Sequence, residues 1–151
     1  MRRRGFEVIE KYTAAGIRLP QRKTGSSAGY DIEAAEACVL MPGKVSIIPT
    51  GLKAYMQENE YLGLHIRSGF SIKHAVSLIN GQGIIDADYY NNAENEGHIM
   101  VAVLNQSEQP VKVEKGMRIA QGIFYSYLTA DDDEAGTGAV RQGGFGSTGE
   151  K

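Results

Sequence analysis

Short apolar runs separated by turn residues occupy most of this 151-residue chain. Many runs are rich in β-branched or aromatic residues, and Gly, Pro or Asn stands between them, as in strands joined by tight turns. No stretch of a dozen residues carries an apolar stripe at helical spacing. The pattern predicts an all-β fold, an antiparallel β-sandwich or barrel. The predicted strands span residues 6–9, 38–40, 45–48, 52–56, 61–66, 75–79, 99–104, 111–113 and 119–127.

Composition excludes several classes of function. A net charge of −2 gives no general electrostatic reason to bind nucleic acid or an anionic membrane, so neither partner is expected. Cys38 is the single cysteine, which excludes an internal disulfide and suits a reducing compartment. The basic start is followed by no apolar segment of the kind a signal peptide needs, and no run is long enough to span a membrane. We therefore expect a soluble, cytoplasmic protein.

The strand pattern stops after residue 128, where an acidic run and a glycine-rich tail follow. We predict a β domain over residues 1–128 and a C-terminal arm over residues 129–151. The tail offers open backbone N–H groups, two hydroxyls and the guanidinium of Arg141, which suit a chain of phosphates. Phe145 has no core of its own to join and could close over a flat group. The tail thus predicts an arm that wraps a nucleotide; the alternative is a disordered glycine-rich terminus.

Two strand ends carry further candidate chemistry. Arg67-Ser68-Gly69 follows a strand and predicts a phosphate anchor, with an exposed polar turn as the alternative. Asn80-Gly81 predicts a hairpin, because both residues tolerate positive φ. The strand after it is expected to place Asp86 and Asp88 on one face, where a carboxylate could orient and deprotonate a water. The alternative there is a polar strand end. The three histidines lack metal-ligand spacing, so no zinc site is expected.

Five segments resemble, in order, the five motifs of trimeric dUTPases, over about Leu19 to Gly149. They are Ala28-Gly29-Tyr30-Asp31-Ile32, Arg67-Ser68-Gly69, Gly83-Ile84-Ile85-Asp86-Ala87-Asp88-Tyr89, Arg118-Ile119-Ala120-Gln121 and Gly143-Gly144-Phe145-Gly146-Ser147-Thr148-Gly149. The resemblance implies a jelly-roll-like subunit and a homotrimer with active sites at subunit interfaces. It also implies that the arm closes over a neighbour's site. The implied reaction is Mg²⁺-dependent hydrolysis of dUTP to dUMP and pyrophosphate, which keeps uracil out of DNA and supplies dUMP for dTMP synthesis.

The resemblance also assigns roles by position. Asp86 would orient the water that attacks the α-phosphorus, and Tyr89 would lie beneath the deoxyribose and leave no room for a 2′-hydroxyl. The hairpin backbone and one side chain would bind uracil, at Asn80, Gly83 and Ile85. Phosphate contacts would come from Arg67, Ser68, Gly69, Gln121, Arg141, Gly146, Ser147 and Thr148. Phe145 would stack on the uracil. Asp31 would contact the water shell of the Mg²⁺, for which no direct protein ligand is expected.

The chain departs from the family pattern at two points. Residues 90–96 are inserted after Tyr89, as in variants from Gram-positive bacteria and their phages. We expect this segment to alter a surface near the site, one that could contact a regulatory protein partner. In the arm, Arg141 stands one residue closer to the glycine pair than in the commoner form.

Three rival interpretations follow from the same residues. A dCTP deaminase shares the fold, but such enzymes resemble this chain only in the arginine–serine step and use a glutamate base that is absent from this hairpin. A regulatory protein that signals in its dUTP-bound state is compatible with catalysis. A carbohydrate-binding β-sandwich would leave the arm unexplained, and the chain has no tryptophan.

Overall fold

Strands form nearly all of the regular structure. The computed structural model describes residues 1–135 and 143–145. The strands in this part of the chain are β1 Gly5–Val8, β2 Gln21–Arg22, β3 Tyr30–Glu33, β4 Cys38–Leu40, β5 Val45–Pro49, β6 Leu52–Tyr55, β7 Glu60–Ile66, β8 Val76–Leu78, β9 Gly83–Asp86, β10 Met100–Asn105, β11 Val111–Val113 and β12 Arg118–Ser126. A short helix, α1, spans Ser68–His74, and 3-10 turns span Glu10–Tyr12 and Ala87–Tyr89.

The strands pair antiparallel in two larger sheets and two ribbons. The larger sheet has the order β2-β3-β12-β7-β9, and a three-stranded sheet has the order β5-β10-β8. The ribbons pair β1 with β6 and β4 with β11. Most neighbours are distant in sequence, as expected when a chain crosses between sheets. The predicted all-β antiparallel fold is confirmed.

The core lies between the sheets and follows from alternation along each strand. Leu62 and Leu64 of β7 share one buried cluster with Val101 and Val103 of β10 and with Ile119 of β12. Residues two apart on a strand point to the same side, so a short run suffices to supply each wall of the core. None of the helices in the described ranges is long and apolar enough to cross a membrane.

One face of the three-stranded sheet is apolar and open, and we call it the outer face. Val45 and Ile47 of β5 are each 53% exposed, and Ile79 is 48% exposed just after β8. The register places Ile47 opposite Ala102 and Val45 opposite Leu104 of β10. The alternation that buries Val101 and Val103 thus turns a row of apolar side chains outward.

The structure corrects three local expectations. Arg67-Ser68-Gly69 leads into α1 rather than a simple turn, and Ala75 ends that helix with a φ of 54°. Asn80-Gly81 forms a turn, but its flanking strands pair elsewhere, β8 with β10 and β9 with β7, so it is not a two-stranded hairpin. Asp86 ends β9 and Asp88 lies in the following 3-10 turn, so the two do not alternate on one strand face.

The predicted arm begins where regular structure ends. β12 stops at Ser126, and residues 127–135 form no strand or helix. The domain boundary at residue 128 stays a prediction.

Candidate active site

A cavity of about 280 Å³ lies beside β9 and β10. Six of the predicted site residues border it: Asn80, Gly83, Ile85, Asp86, Tyr89 and Phe145. Gln82 of the predicted hairpin and Gly144 of the fifth motif also line it, as do Met100 and Ala102, for which no role was predicted. Ala102 also belongs to the outer face, so the cavity opens next to the apolar surface of the three-stranded sheet.

The turn after β8 shapes one end of this cavity. The N–H of Gly81 donates to the carbonyl of Leu78 at 3.1 Å, and Gly81 has a φ of 75°, which a residue without a Cβ adopts freely. Gln82 donates its N–H to the carbonyl of Asn80 at 2.8 Å. The turn delivers the chain into β9 with the Asn80 side chain exposed at the cavity.

β9 is an edge strand. It pairs with β7 on one side, where Gly83 lies opposite Leu64 and Ile85 opposite Leu62. Among the described strands no other strand pairs with its second side. The backbone N–H and C=O groups on that side stand beside the cavity, where a flat polar ligand can use them as a further strand would.

Tyr89 lines another part of the cavity, and hydrogen bonds hold both its hydroxyl and its backbone carbonyl. Its side chain is buried, and its hydroxyl donates to the carbonyl of His98 at 2.6 Å. The Asn95 amide donates to the same hydroxyl at 2.9 Å, and the Asn92 amide donates to the Tyr89 carbonyl at 2.8 Å. Across the ring, a Cβ placed on Gly144 would lie 3.1 Å from Cε1, so this glycine allows the chain to approach the ring closely.

Asp86 stands at the rim, exposed at the end of β9. It borders the cavity and also an open surface hollow that it shares with Glu58, Asp88 and Tyr127. A carboxylate here can reach a ligand in the cavity while remaining in contact with solvent.

A second group of predicted residues lies away from this cavity. Asp31 of β3 is opposite Gln121 of β12, whose amide donates to it at 3.5 Å. The Asp31 carboxylate is 4.0 Å from Arg67 Nε and 3.5 Å from Arg118 Nη1. Two guanidinium groups beside one carboxylate leave a net positive site, which favours an anion.

Arg118 was not among the predicted site residues. The sequence could have identified it, because Arg118 is the first residue of the motif that contains Gln121. Ser68 and Gly69 begin α1 and are exposed, next to Arg67. None of this second group borders the cavity beside Tyr89. In one chain, the predicted residues therefore form two separate groups.

The inserted segment 90–96 is folded against the domain. Asn91 and Glu96 have φ of 57° and 65°, and both contact Lys53 of β6, whose Nζ lies 2.6 Å from Asn91 Oδ1 and from Glu96 Oε2. The Lys53 hydrogen bond lowers the pKa of the Glu96 carboxyl. The hydrogen bond from the Tyr90 hydroxyl lowers the pKa of the Glu7 carboxyl on β1. Charge and hydrogen bonds thus fix the segment to two strands.

This segment matches only part of its prediction. Asn91, Ala93 and Glu94 are exposed, as expected of an altered surface. Asn92 is buried, and Asn95 contacts Tyr89 directly, so the segment also forms part of the support of the cavity.

His98 follows the segment and is buried as a neutral ring. Its Nε2 accepts the N–H of Gly51 at 2.9 Å, which requires that nitrogen to be unprotonated. Burial, together with nearby Lys11, lowers the pKa of the His98 imidazole.

Of the arm, the structure describes residues 129–135 and 143–145. Phe145 is exposed at the cavity rim of its own chain, beside Gly144. Arg141, Gly146, Ser147 and Thr148 lie outside the described residues. The predicted reach of the arm to a neighbouring subunit stays a prediction.

With the cavity and its walls defined, comparisons with known proteins identify the family. The sequence model of the family described as dUTPase matches residues 15–149. The deoxyuridine 5′-triphosphate nucleotidohydrolase of Lactococcus lactis subsp. lactis is 52% identical over 149 residues, covering 99% of each chain.

Solved structures agree in fold. A crystal structure of dUTPase from Streptococcus mutans has a TM-score of 0.80 and 46% identity, over 84% of this chain and 98% of the other. A dUTPase from phage phi11 of S. aureus, whose structure describes the coordination of a structural Mg(II) ion, has a TM-score of 0.72. It is 20% identical, over 91% of this chain and 99% of the other, and it shows the fold alone. The resemblance noted in the sequence is confirmed, and this chain belongs to the dUTPase family.

Proposed function

We infer that the chain hydrolyses dUTP to dUMP and pyrophosphate, and we propose that the nucleoside binds in the cavity between β9 and Tyr89. Family membership supports the reaction. The observation that carries the assignment of the cavity is its wall: an edge strand, an amide side chain, a carboxylate and a buried aromatic ring border one space.

Base and sugar are recognised by different means. The open side of β9, with Asn80 at its end, offers amide donors and acceptors to the edge of a uracil. Phe145 at the rim supplies an aromatic face for stacking. Tyr89 packs against the sugar and excludes a 2′-hydroxyl by contact, because its ring is buried and held by hydrogen bonds.

Asp86 acts as the general base. Its carboxylate accepts a proton from a water molecule as the water oxygen bonds to the α-phosphorus. The bond from that phosphorus to the oxygen bridging the β-phosphate breaks, and the electron pair leaves with pyrophosphate. The position of Asp86 at the cavity rim, in contact with solvent, supports this role.

A magnesium ion fits the donors that are present. The part of the chain described here contains no group of three ligating side chains, and a Mg²⁺ that keeps its waters and binds phosphate oxygens needs none. Asp31 contacts its guanidinium partners only at 3.5 and 4.0 Å, so its oxygens can still accept hydrogen bonds from the water shell. Bound there, the ion would neutralise charge on the triphosphate.

We further propose that the protein is a homotrimer whose sites combine residues of different subunits. The outer face is apolar and borders the cavity through Ala102, which supports burial of this face against another copy. Arg67, Gln121 and Asp31 are separate from the cavity, which supports a site completed by a neighbouring subunit. The neighbour's copy of this anion-binding group would face the cavity.

The reaction is tested by pyrophosphate release from dUTP, dCTP, dTTP and UTP, each with Mg²⁺ and with EDTA. We expect Mg²⁺-dependent release from dUTP alone. Comparable release from dCTP would contradict the proposed reading of the base, and release in EDTA would contradict the role of the ion.

The shared site is tested by mixing two inactive variants, Asp86→Asn and Arg67→Ala, after dissociation and reassembly. If each site takes these residues from different subunits, about one quarter of the sites in an equal mixture regain both groups. A mixture without recovered activity would show that both residues act within one chain. Light scattering on the wild-type protein checks the trimer directly.

A further inference from the structure

The inserted segment contacts Tyr89 at both its side chain and its backbone. Three of its contacts converge on this residue: Asn95 donates to the hydroxyl at 2.9 Å, Asn92 donates to the carbonyl at 2.8 Å, and the backbone N–H of Asn92 donates to the same carbonyl at 3.2 Å. The tyrosine is therefore held at its backbone and at the far end of its ring by the same short segment.

We propose that Asn95 is a positioning residue for sugar discrimination: its amide fixes the Tyr89 ring at the height that admits deoxyribose and rejects ribose. The proposal rests on the role of Tyr89 given above and deepens it. Asn95 is not a catalytic residue, since it acts through the tyrosine hydroxyl.

The orientation of the Asn95 amide is determined by its other partners. Its Oδ1 accepts the N–H of Gly97 at 3.1 Å and the Asn92 amide at 2.8 Å. A backbone N–H can only donate, so this oxygen assignment is required, and Nδ2 must point at Tyr89. The Tyr89 hydroxyl then accepts from Asn95 and donates its own proton to the carbonyl of His98 at 2.6 Å. Both bonds restrain the hydroxyl end of the ring, which leaves the ring little freedom to tilt.

The segment can transmit this restraint because it is anchored to the domain. Glu96, next to Asn95, forms an ion pair with Lys53 at 2.6 Å and accepts the N–H of Glu10 at 3.0 Å. The Lys53 side chain is only 11% exposed, so solvent weakens this pair less than it would a surface pair. The ion pair therefore fixes the position of Asn95 relative to β6.

Gly144 contacts the Tyr89 ring, so the position of the ring affects the space in the cavity. Gly144 lies so close to Tyr89 that even a Cβ on that glycine would be 3.1 Å from Cε1. A cavity wall in contact on both sides cannot shift without changing the space beside it. A 2′-hydroxyl is rejected only where the ring leaves no room for it, so a small shift of the ring away from the sugar relieves part of that contact.

The test compares kcat/KM for dUTP with kcat/KM for UTP in Asn95→Ala, Tyr89→Phe and the double variant. We expect Asn95→Ala to lower the dUTP preference by about 3- to 10-fold, mainly by improving the use of UTP. Tyr89→Phe removes the same hydrogen bond from the other side, together with the bond from the hydroxyl to the His98 carbonyl, so the double variant should lose no more preference than Tyr89→Phe alone. Additive losses would contradict the proposal, because they would mean that Asn95 acts on something other than the hydroxyl.

The ratio of two substrates on one sample does not depend on the folded fraction, so a merely structural role would leave it unchanged. Asn95→Asp is the second variant; it keeps the acceptor for Gly97 but replaces the donor to Tyr89, and it should also lower the preference. Ala93→Ser, on the exposed side of the same segment, is the matched control and should retain the wild-type ratio.

Tyr89→Ala distinguishes the proposed role of Tyr89 from that of Asn95. If it leaves the dUTP preference unchanged, the proposed role of Tyr89 is wrong. If it abolishes the preference while both Asn95→Ala and Asn95→Asp keep it, the tyrosine discriminates without Asn95, and the inference is overturned.

Discussion

Gly97→Ala is expected to be among the most damaging single-methyl changes in this protein. Gly97 has a φ of 90°, and a Cβ placed there would lie 2.9 Å from the carbonyl oxygen of Tyr89 and 3.0 Å from the backbone nitrogen of Asn91. Both neighbours are backbone atoms, so no side-chain rotation can relieve the contact. Gly116 offers a matched control, because its φ is 86° and a Cβ there meets nothing within 4 Å.

Both variants place an alanine at positive φ, but only Gly97→Ala also creates a steric clash. An L-residue held in this backbone region costs about 1–3 kcal/mol of folding free energy, and both alanines incur it. Gly97→Ala adds a steric cost of about 1–3 kcal/mol, as for other insertions of a methyl group into a packed site. For a chain of this size that difference corresponds to about 2–12 °C in Tm between the variants.

Thermal unfolding followed by circular dichroism, at equal subunit concentration, measures this difference. The dUTP preference over UTP should fall in Gly97→Ala as well, since the displaced atom belongs to Tyr89, and should remain in Gly116→Ala. Equal Tm values for the two variants would contradict this prediction, because they would show that the segment accommodates a methyl group without cost.

Three further predictions concern single side chains. Asp86→Asn should retain affinity for a non-hydrolysable dUTP analogue in calorimetry while turnover falls by about 10²- to 10⁴-fold, because the amide cannot take the proton of the water; near wild-type turnover would exclude Asp86 as the base. Acidification should destabilise the fold through His98, because the pKa of the buried ring is lowered. Below about pH 6.5 the histidine binds a proton in the unfolded chain but not in the folded one. The free energy of unfolding therefore falls with pH until the pH passes the folded-state pKa. His98→Gln, whose oxygen can still accept the Gly51 N–H, should reduce this pH dependence in denaturant titrations, and an unchanged slope would assign it to other groups. Asn105 is fully buried and its amide donates to two backbone carbonyls at 2.8 Å each, so Asn105→Ala should cost about 2–4 kcal/mol in urea unfolding, and clearly more than Ser107→Ala, which removes one hydroxyl from the same turn.

The sequence predicted the strands well, for a physical reason. Most strands are short and turn apolar residues toward the core, so runs such as 61–66 and 111–113 contain their own boundaries in the turn residues around them. α1 was missed because its seven residues bury only Phe70, which is too little to produce a helical period. The end of β9 at Asp86 was also missed, since a 3-10 turn leaves no repeating signal.

The site was only partly predictable. Motif order was enough to name six of the residues that border the cavity. The support of Tyr89 could not be found this way. It depends on left-handed backbone at Asn91 and Glu96, neither of which is a glycine, and on the amide of Asn95, six residues beyond Tyr89, where the third motif ends. Such contacts follow from how the chain closes on itself, which no local pattern records.

The open edge of β9 has a consequence for how this protein can change. A base that is read by main-chain groups is read by atoms that every amino acid carries. Ile84, 59% exposed, borders the cavity from that strand, and replacing it by another residue that is compatible with a strand keeps the main-chain hydrogen-bonding groups of the edge while it changes the cavity wall. Under the proposed function, side-chain replacement along β9 would leave in place the main-chain pattern that reads the base, and altering that pattern would require a shift in register or a change in the turn.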